Sequence, residues 1–194
     1  MLVGIEFRGT TPLLCHNEQL VDPENAVVME MKPHTDKPTN KRTEADRKAI
    51  ERFEWYGGLY REGDNGPPVI PARNIRKSIS EAAKVRKLGK DVERALSMTS
   101  VSVPIDYDGP RDVDALFGNK AFHSRLTVRL TGRIMRVRPK FPQWRVRAEA
   151  ELLEDVLDFN TLQYIVDLAG RIEGLGDARR IGFGRYVGTV EQLS

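Results

Sequence analysis

The stretch "GLGDARRIGFGRY", Gly174–Tyr186, decides how the fold is interpreted, because it joins the last helical pattern of the chain to its last strand pattern. It contains four glycines, which reach positive φ at little cost, and three arginines. The glycines predict a turn with close backbone packing. A second interpretation stays open: a phosphodiester approaches the backbone at the glycines while the arginines supply charge. The candidate residues are Gly174, Gly176, Arg179, Arg180, Gly182, Gly184 and Arg185.

Hydrophobic periodicity predicts the elements on either side of that stretch. Strict alternation in "LVGIEFRG" (2–9) predicts a strand with one buried face. The segment "VIPARNIRKSISEAAKVRKLG" (69–89) begins near a proline and repeats apolar residues at helical spacing, which predicts the first major helix. The segment "FNTLQYIVDLAGRI" (159–172) predicts the second, with Asn160 as its N-cap. The stretch therefore joins this second helix to a final strand that glycines interrupt.

Three further segments predict strands. "SVSVPIDYDG" (100–109) is a short one, while "RLTVRLTGRIMRVR" (125–138) and "RVRAEAELL" (145–153) alternate over a longer span. The proline-bearing "PKFPQW" between the last two predicts a β-hairpin over about 125–152. The major elements then follow the order β-α-β-β-α-β. This is an α+β, ferredoxin-like (RRM-like) arrangement.

A polar segment of about residues 22–66 predicts a long, mobile insertion after the first strand. Its first part, "DPENAVVMEMKPHTDKPTN", contains three prolines and little periodicity. Within the insertion, Thr43 and Asp46 predict the capped start of a short helix that runs to about Trp55. With 194 residues, we expect a single domain spanning 1–194.

Composition excludes several classes of protein. No apolar run approaches the roughly 20 residues of a membrane-spanning helix. The first residues lack the basic-then-apolar order of a signal peptide, so we expect no export. The single Cys15 gives no disulfide framework and no structural zinc site, and it fits a reducing cytoplasm. We therefore expect a cytoplasmic protein without a metal.

The strongest charge feature is a run of cations over 125–147 that contains no Asp or Glu. It is either a solvated strand face or a surface that binds nucleic acid. In the second case Phe141 and Trp144 stack on bases between the cations, although either ring could instead belong to the core. The candidate cations here are Arg129, Arg133, Arg136, Arg138, Lys140, Arg145 and Arg147. Arg76 and Lys77, at the first helix, are candidates for phosphate contacts in the same groove.

Two motifs resemble the RAMP superfamily, the ferredoxin-like RNA-binding proteins of CRISPR effector complexes. "GLGDARRIGFGRY" is similar to the glycine-rich signature near the C terminus of that family, and "VIPARNIRKSISEAAK" resembles the start of its first helix. The second motif has Ala72 in place of a glycine, Arg73 and Asn74 in place of serines, and Ser78 in place of a second glycine. The backbone-subunit branch is most similar. Small stand-alone relatives in bacteriophage genomes are similar in size and layout.

The resemblance implies a protein that binds single-stranded nucleic acid, with RNA as the main ligand. It also implies that the protein is not catalytic and uses no cofactor. It implies assembly along the strand as a homo-oligomer or filament, with the basic hairpin protruding towards a neighbouring copy. CRISPR-complex subunits are possible further partners. The sequence does not distinguish RNA from single-stranded DNA, because no linear pattern marks a contact to a 2′-hydroxyl.

Two alternatives to this function remain. The first is a metal-independent RAMP-type endoribonuclease, in which His16 is the general acid or base; for cleavage by an aspartate after the first strand, Asp22 and Asp36 are the candidates. The second is a phage protein that mimics a CRISPR backbone subunit and occupies its protein partners. The first requires RNA cleavage in EDTA, and the second requires binding to effector subunits without affinity for nucleic acid.

Overall fold

The protein is a mixture of helices and strands. The computed structural model describes residues 1–63, 66–129 and 133–193, without the side chains at 128, 129, 133 and 134. The helices are α1 (Ala26–Thr35), α2 (Glu44–Gly58), α3 (Ala72–Ala83), α4 (Gly89–Ala95), α5 (Val113–Gly118) and α6 (Phe159–Ile172). The strands are β1 (Leu2–Gly9), β2 (Leu13–Leu14), β3 (Val69–Pro71), β4 (Leu96–Met98), β5 (Ser102–Pro104), β6 (His123–Arg129), β7 (Arg133–Phe141), β8 (Arg145–Leu152) and β9 (Tyr186–Gln192).

Contacts divide the chain into two compact units. The first unit consists of Met1–Leu13, Arg61–Gly109 and Phe141–Ser194, and the second of Leu14–Tyr60 and Pro110–Lys140. Each unit therefore contains segments that are distant in the sequence. Across the described residues, no helix is both long enough and apolar enough to cross a membrane.

The first unit contains an antiparallel sheet of order β4-β8-β1-β9. Its central strand β1 has the alternation that the sequence predicts, since Val3, Ile5 and Phe7 are buried while Glu6 and Arg8 lie on the other face. In β8 the alternation is strict over all eight residues. The four strands of this sheet and the helices α3 and α6 follow the order strand, helix, strand, strand, helix, strand along the chain.

Helices α3 and α6 cover the buried face of this sheet. Ile75 and Ile79 of α3 and Leu162, Ile165 and Val166 of α6 are all fully or almost fully buried. Beneath them the rings of Phe7 and Tyr186 stack with centroids 3.8 Å apart. The Tyr186 hydroxyl shares a 2.9 Å hydrogen bond with Ser78 Oγ, which itself donates to Gly174 O at 2.8 Å. This polar chain fixes the start of the glycine-rich stretch against α3.

The second unit contains α1, α2, α5 and the sheet of order β2-β7-β6, except for Leu13 of β2 and Phe141 of β7. Helix α2 begins with a complete capping box, as predicted, because Thr43 and Asp46 exchange hydrogen bonds. Trp55 of α2 is fully buried, and its Nε1 donates to Phe122 O at 2.9 Å. This helix therefore anchors the second unit.

The structure corrects four expectations about elements. The hairpin consists of β6 and β7, which pair from His123↔Pro139 onward, whereas β8 pairs with β1 and β4. The strand between the first helix and β8 in the main sheet is β4, which the sequence did not predict, and β5 pairs with β3.

The region predicted as a mobile insertion contains α1 as well as α2. Asp158 caps α6 in place of Asn160, because its side chain accepts from Thr161 N.

Candidate nucleic-acid interface

The glycine-rich stretch is a loop at the junction between α6 and β9 in the first unit. All four predicted glycines have positive φ, between 69° and 95°. A Cβ at Gly184 would lie 1.8 Å from Leu175 O, so this residue must be glycine for the loop to close on itself. Gly182 differs, since a Cβ there would meet nothing within 4 Å. A structural turn accounts for both glycines through their positive φ. At Gly182 the Cα face is also open to a ligand, while its N–H donates to Arg179 O and its carbonyl accepts from Thr11 Oγ1.

The three arginines of the loop differ in how they are held. Arg180 is exposed, beside the exposed side chain of Ile181. Arg179 is about one third exposed, and its Nη1 lies 3.6 Å from Glu173 Oε2, a weak ion pair. Arg185 is more enclosed: its Nη2 donates to Arg179 O at 3.2 Å. Its Nη1 is buried and has no hydrogen-bond partner among the described residues. The loop thus keeps Arg180 and much of Arg179 available to an anion.

The loop and β1 are tied together at one end of the main sheet. Thr11 Oγ1 donates to Gly182 O at 2.8 Å and accepts from Arg185 N at 2.9 Å. Arg8, which the sequence analysis did not select, lies at this end and is directly opposite Arg145 in the register of β1 and β8. Its signal was present in the sequence, since it occupies a polar position in the alternation of "LVGIEFRG".

Two of the predicted cations, Lys77 and Arg179, belong to segments that contact each other, although about a hundred residues separate them in the sequence. Ser78 of α3, next to Lys77, donates to Gly174 O at the start of the loop that contains Arg179. Hydrogen bonding from Lys84 is the first cause of the lowered pKa of Glu81, and charges on Lys77 and Arg179 add to it. The charges of Lys77 of α3 and Arg179 of the loop therefore both act on the Glu81 carboxylate. The side chain of Arg76 contacts α4 instead, because its Nη2 donates to Glu93 O at 2.9 Å. We call Lys77, Glu81, Arg179 and Arg180 the loop-and-helix cluster.

Four of the eight cations in the run over 125–147 pair with acids from other segments. In the first unit, Arg145 Nη2 donates to Asp106 Oδ2 at 2.7 Å, and Arg147 pairs with Glu191. On the exposed face of the main sheet, the described strands carry three arginines against four glutamates and no aromatic ring. This sheet face is therefore not a basic surface, which corrects the interpretation of Arg145 and Arg147.

Two cations of β6 and β7, Arg125 and Arg136, have acidic partners on α2 in the second unit. Arg136 Nη1 donates to Glu54 Oε1 at 2.5 Å, and Glu54 Oε2 also accepts from Val137 N at 2.7 Å. Arg125 pairs in the same way with Glu51. Arg138 is buried and Lys140 is half-buried. Arg129 and Arg133 lie outside the described side chains, so their role stays a prediction.

The two rings predicted to stack on bases belong to the core. Phe141 has no exposed area, and it packs edge-on against Tyr107 with centroids 5.0 Å apart. Trp144 is 4% exposed, and its Nε1 donates to Thr11 O at 2.8 Å. A ring without accessible faces cannot stack on a base. Of the two interpretations that the sequence left open, the core one is correct.

The residues considered for catalysis differ in exposure and in hydrogen bonding. His16 is half-buried, and its carbonyl accepts a hydrogen bond from Tyr60 Oη at 3.0 Å. Asp22 is exposed, and its Oδ1 accepts from Glu24 N. Asp36 is an exposed residue at the end of α1. No group of three or more His, Cys, Asp or Glu able to hold a metal ion occurs in the described part of the chain.

Comparisons with known proteins find similar structures but no similar sequences. No protein-family model and no curated protein matches the sequence. One similar solved structure is described as the crystal structure of Cmr4, with 9% identity, a TM-score of 0.45 and coverage of 100% of both chains. Another is a chain of the Type III-B Cmr-beta complex bound to cognate target RNA, with 15% identity and a TM-score of 0.45. The match covers 100% of this chain and 59% of that chain.

Proposed function

We propose that the protein binds single-stranded nucleic acid through the loop-and-helix cluster of the first unit, and that RNA is its main ligand. The observation that supports the proposal is the contact between α3 and the loop, where Ser78 Oγ, next to the exposed Lys77, donates to Gly174 O. The loop itself contains Arg179, the exposed Arg180 and Gly182, at which a Cβ would meet nothing within 4 Å. Cations bind phosphates without reading sequence, and an unobstructed backbone permits close approach of the strand. The exposed Ile181 gives this surface an apolar contact for a sugar or base.

The proposal includes a fold. We propose that the main sheet with α3 and α6 is a ferredoxin-like core, which the antiparallel order β4-β8-β1-β9 and the succession of elements support. The core holds the loop rigidly, because Ser78 and Tyr186 fix one of its ends and Thr11 fixes the other. A rigid loop loses little conformational entropy when it binds.

The experiment is a titration of labelled single-stranded RNA, single-stranded DNA and duplex DNA by fluorescence anisotropy across a salt series. For a single strand, log K falls with log salt by about 0.7 for each neutralised phosphate. Replacing both Arg179 and Arg180 with alanine should weaken binding and flatten the slope by about 1.4 if each contacts one phosphate. Arg171→Ala is the matched control, since Arg171 is exposed and pairs with Asp167 on α6.

A second variant tests the same cluster in the opposite direction. Glu81→Gln removes a carboxylate on which these cations act and releases Lys84, whose Nζ donates to Glu81 Oε1 at 2.7 Å. We expect it to strengthen RNA binding several-fold at low salt. Equal affinity of wild type, the double alanine variant and Glu81→Gln would contradict the proposal, as would no binding at low salt.

We also propose that binding occurs without cleavage. Incubation of wild type and His16→Ala with structured RNA in EDTA should leave the RNA intact in both cases. Cleavage by wild type that is lost in His16→Ala would show instead a metal-independent endoribonuclease.

A further inference from the structure

A groove in the first unit lies between the turn that follows α3 and the first turns of α6. It is lined by Arg86, Leu88, Asn160, Thr161 and Tyr164, and its volume is about 420 Å³. Ligand sites usually have volumes of roughly 300 to 1,000 Å³. None of these residues belongs to the loop-and-helix cluster, so the groove is a separate feature.

One wall of the groove is a pair of flat groups. The Tyr164 ring is 43% exposed, and the Arg86 guanidinium carbon lies 5.1 Å from its centroid. Arg86 Nη2 also donates to Tyr164 Oη at 3.2 Å, which holds the two groups in one arrangement. Aromatic rings and guanidinium planes are the surfaces on which proteins stack unpaired bases. This wall therefore suits a planar heterocycle.

The rest of the groove is polar on one side and apolar on the other. Asn160 is exposed, and its amide can donate to and accept from the edge of a base. Thr161 Oγ1 already donates to Asp158 Oδ2 at 2.6 Å, so its hydroxyl can act only as an acceptor towards a ligand. Leu88 supplies the apolar side. Apolar surface with a few polar groups is typical of small-ligand sites.

Cations concentrate at the same turn. The segment "KVRKLGK" (84–90) contains four cations and no acid, and only Lys84 has a carboxylate partner shown here. Lys87 is exposed and adopts φ 63°, a conformation usually left to glycine. Leu88 N donates to Ala83 O and Lys87 N to Lys84 O, so the helix ends in a Schellman motif. The chain thus holds a lysine where glycine is favoured, beside a groove with flat walls.

We propose that this groove binds a nucleobase together with its phosphate. The base stacks on Tyr164 and Arg86, Asn160 contacts its edge, and Lys87 and Lys90 attract the phosphate. Both a free nucleotide and one nucleotide of a single strand contain this chemistry. The proposal does not rest on the loop-and-helix cluster, because no residue is shared between the two.

The experiment uses ¹⁹F NMR of full-length protein labelled with 3-fluorotyrosine, titrated with UMP, AMP, ribose 5-phosphate and a short oligouridine. Tyr164→Phe identifies the resonance of Tyr164 among those of the five tyrosines. We expect UMP or AMP to shift that resonance with saturation, and ribose 5-phosphate to have little effect. Tyr164→Leu and Arg86→Ala, measured by calorimetry, should each weaken binding about tenfold, the size of one stacked base. Arg171→Ala and the double alanine variant of Arg179 and Arg180 should bind UMP as wild type does.

The outcomes distinguish a free nucleotide from one nucleotide of a single strand as the ligand. Similar affinity per site for UMP and oligouridine supports a free nucleotide, and much tighter binding of oligouridine that depends on Tyr164 supports a strand. Two results would overturn the proposal: no shift of the Tyr164 resonance with any probe at millimolar concentration, or binding that Tyr164→Leu and Arg86→Ala leave unchanged. Neither result would bear on the loop, because its test uses different residues.

Discussion

Gly182 and Gly184 are two glycines of one loop with different physical requirements. Both have positive φ, but only Gly184 has a backbone atom where a Cβ would be, 1.8 Å away on Leu175 O. Gly184→Ala should destabilise the protein by at least about 2 kcal/mol, since strain and a clash with rigid backbone add together. Gly182→Ala should cost only about 1 kcal/mol, because strain acts alone. Urea unfolding measures both.

The same pair tests the function of the loop. Gly182→Ala keeps the fold yet places a methyl group on the open backbone, so its RNA affinity should fall more than its stability predicts. Equal free energies of unfolding for the two variants would contradict tight packing at Gly184. If folded Gly182→Ala bound RNA as wild type does, close approach at this residue would be unnecessary.

His123 makes the stability of the second unit depend on pH. It is buried, its Nε2 lies 2.6 Å from Phe117 O and its Nδ1 lies 3.4 Å from Glu51 Oε1. Burial is the first cause that lowers its pKa below the usual 6.5. Lys120 and Arg125 lower it further, against raising effects of the Phe117 carbonyl and Glu51. The folded state therefore binds fewer protons than the unfolded state just below pH 6.5.

It follows that stability is retained above about pH 6.5 and lost as the pH falls from there towards the lowered pKa. Thermal unfolding midpoints measured between about pH 8 and 5 should fall less in His123→Gln than in wild type. The glutamine amide can still donate to Phe117 O, so it is the conservative replacement. Identical pH profiles for the two proteins would show that His123 titrates as it does in the unfolded chain.

The residues of the site were only partly predictable from the sequence. The loop arginines could be identified, because glycine spacing and charge are local features. The pairing of Arg136 with Glu54, or of Arg145 with Asp106, could not, since the partners are 82 and 39 residues apart. A run of cations without local acids therefore indicates nothing about net charge in space. The burial of Phe141 and Trp144 likewise depends on segments remote in the chain.

Among the elements, α2 has the most specific start signal. Thr43 Oγ1 accepts from Asp46 N at 3.2 Å, and Asp46 Oδ2 accepts from Thr43 N at 2.9 Å. A hydrogen bond from Lys37 first, and one from His34 second, hold the pKa of Asp46 far below its usual value. Thr43→Ala removes half of this cap and should destabilise the protein by about 1 kcal/mol in urea unfolding. Thr43→Ser retains the hydroxyl and should resemble wild type. Equal losses in both variants would exclude the cap as the cause.

Length and boundary signals decided which elements could be predicted. Helices α2, α3 and α6 have twelve residues or more, with clear apolar stripes or caps, and the sequence located all three. Strand β4 has three residues, too few to show alternation. Helix α1 contains Pro33, a residue that helix interiors disfavour, and none of its residues is buried. The sequence therefore has no apolar stripe that would predict this helix.

At the scale of the whole molecule, the division into two units had no local signal. The second unit joins 14–60 to 110–140, and each of these segments alone resembles an insertion in the first unit. Periodicity identifies elements one at a time, whereas the grouping depends on pairings between distant strands. The order of strands and helices in the first unit was predicted only in part. Strands β1, β8 and β9 and helices α3 and α6 are long enough to show their period, whereas β4 was missed and its place was given to residues 125–138, which belong to the second unit.

Assembly of several copies along a strand stays a prediction from the sequence, and it can be tested on the whole chain. If neighbouring copies contact one another, binding to a long oligonucleotide is cooperative, because each added copy gains a protein contact as well as phosphates. Sedimentation velocity with oligouridines of about 12 and about 60 nucleotides should give one copy on the short strand and clusters on the long one, even at low protein concentration. The variant with Arg179 and Arg180 both replaced by alanine should lose both complexes together. Copies that bind the long strand independently, with the affinity seen on the short one, would show that the protein covers nucleic acid without assembling.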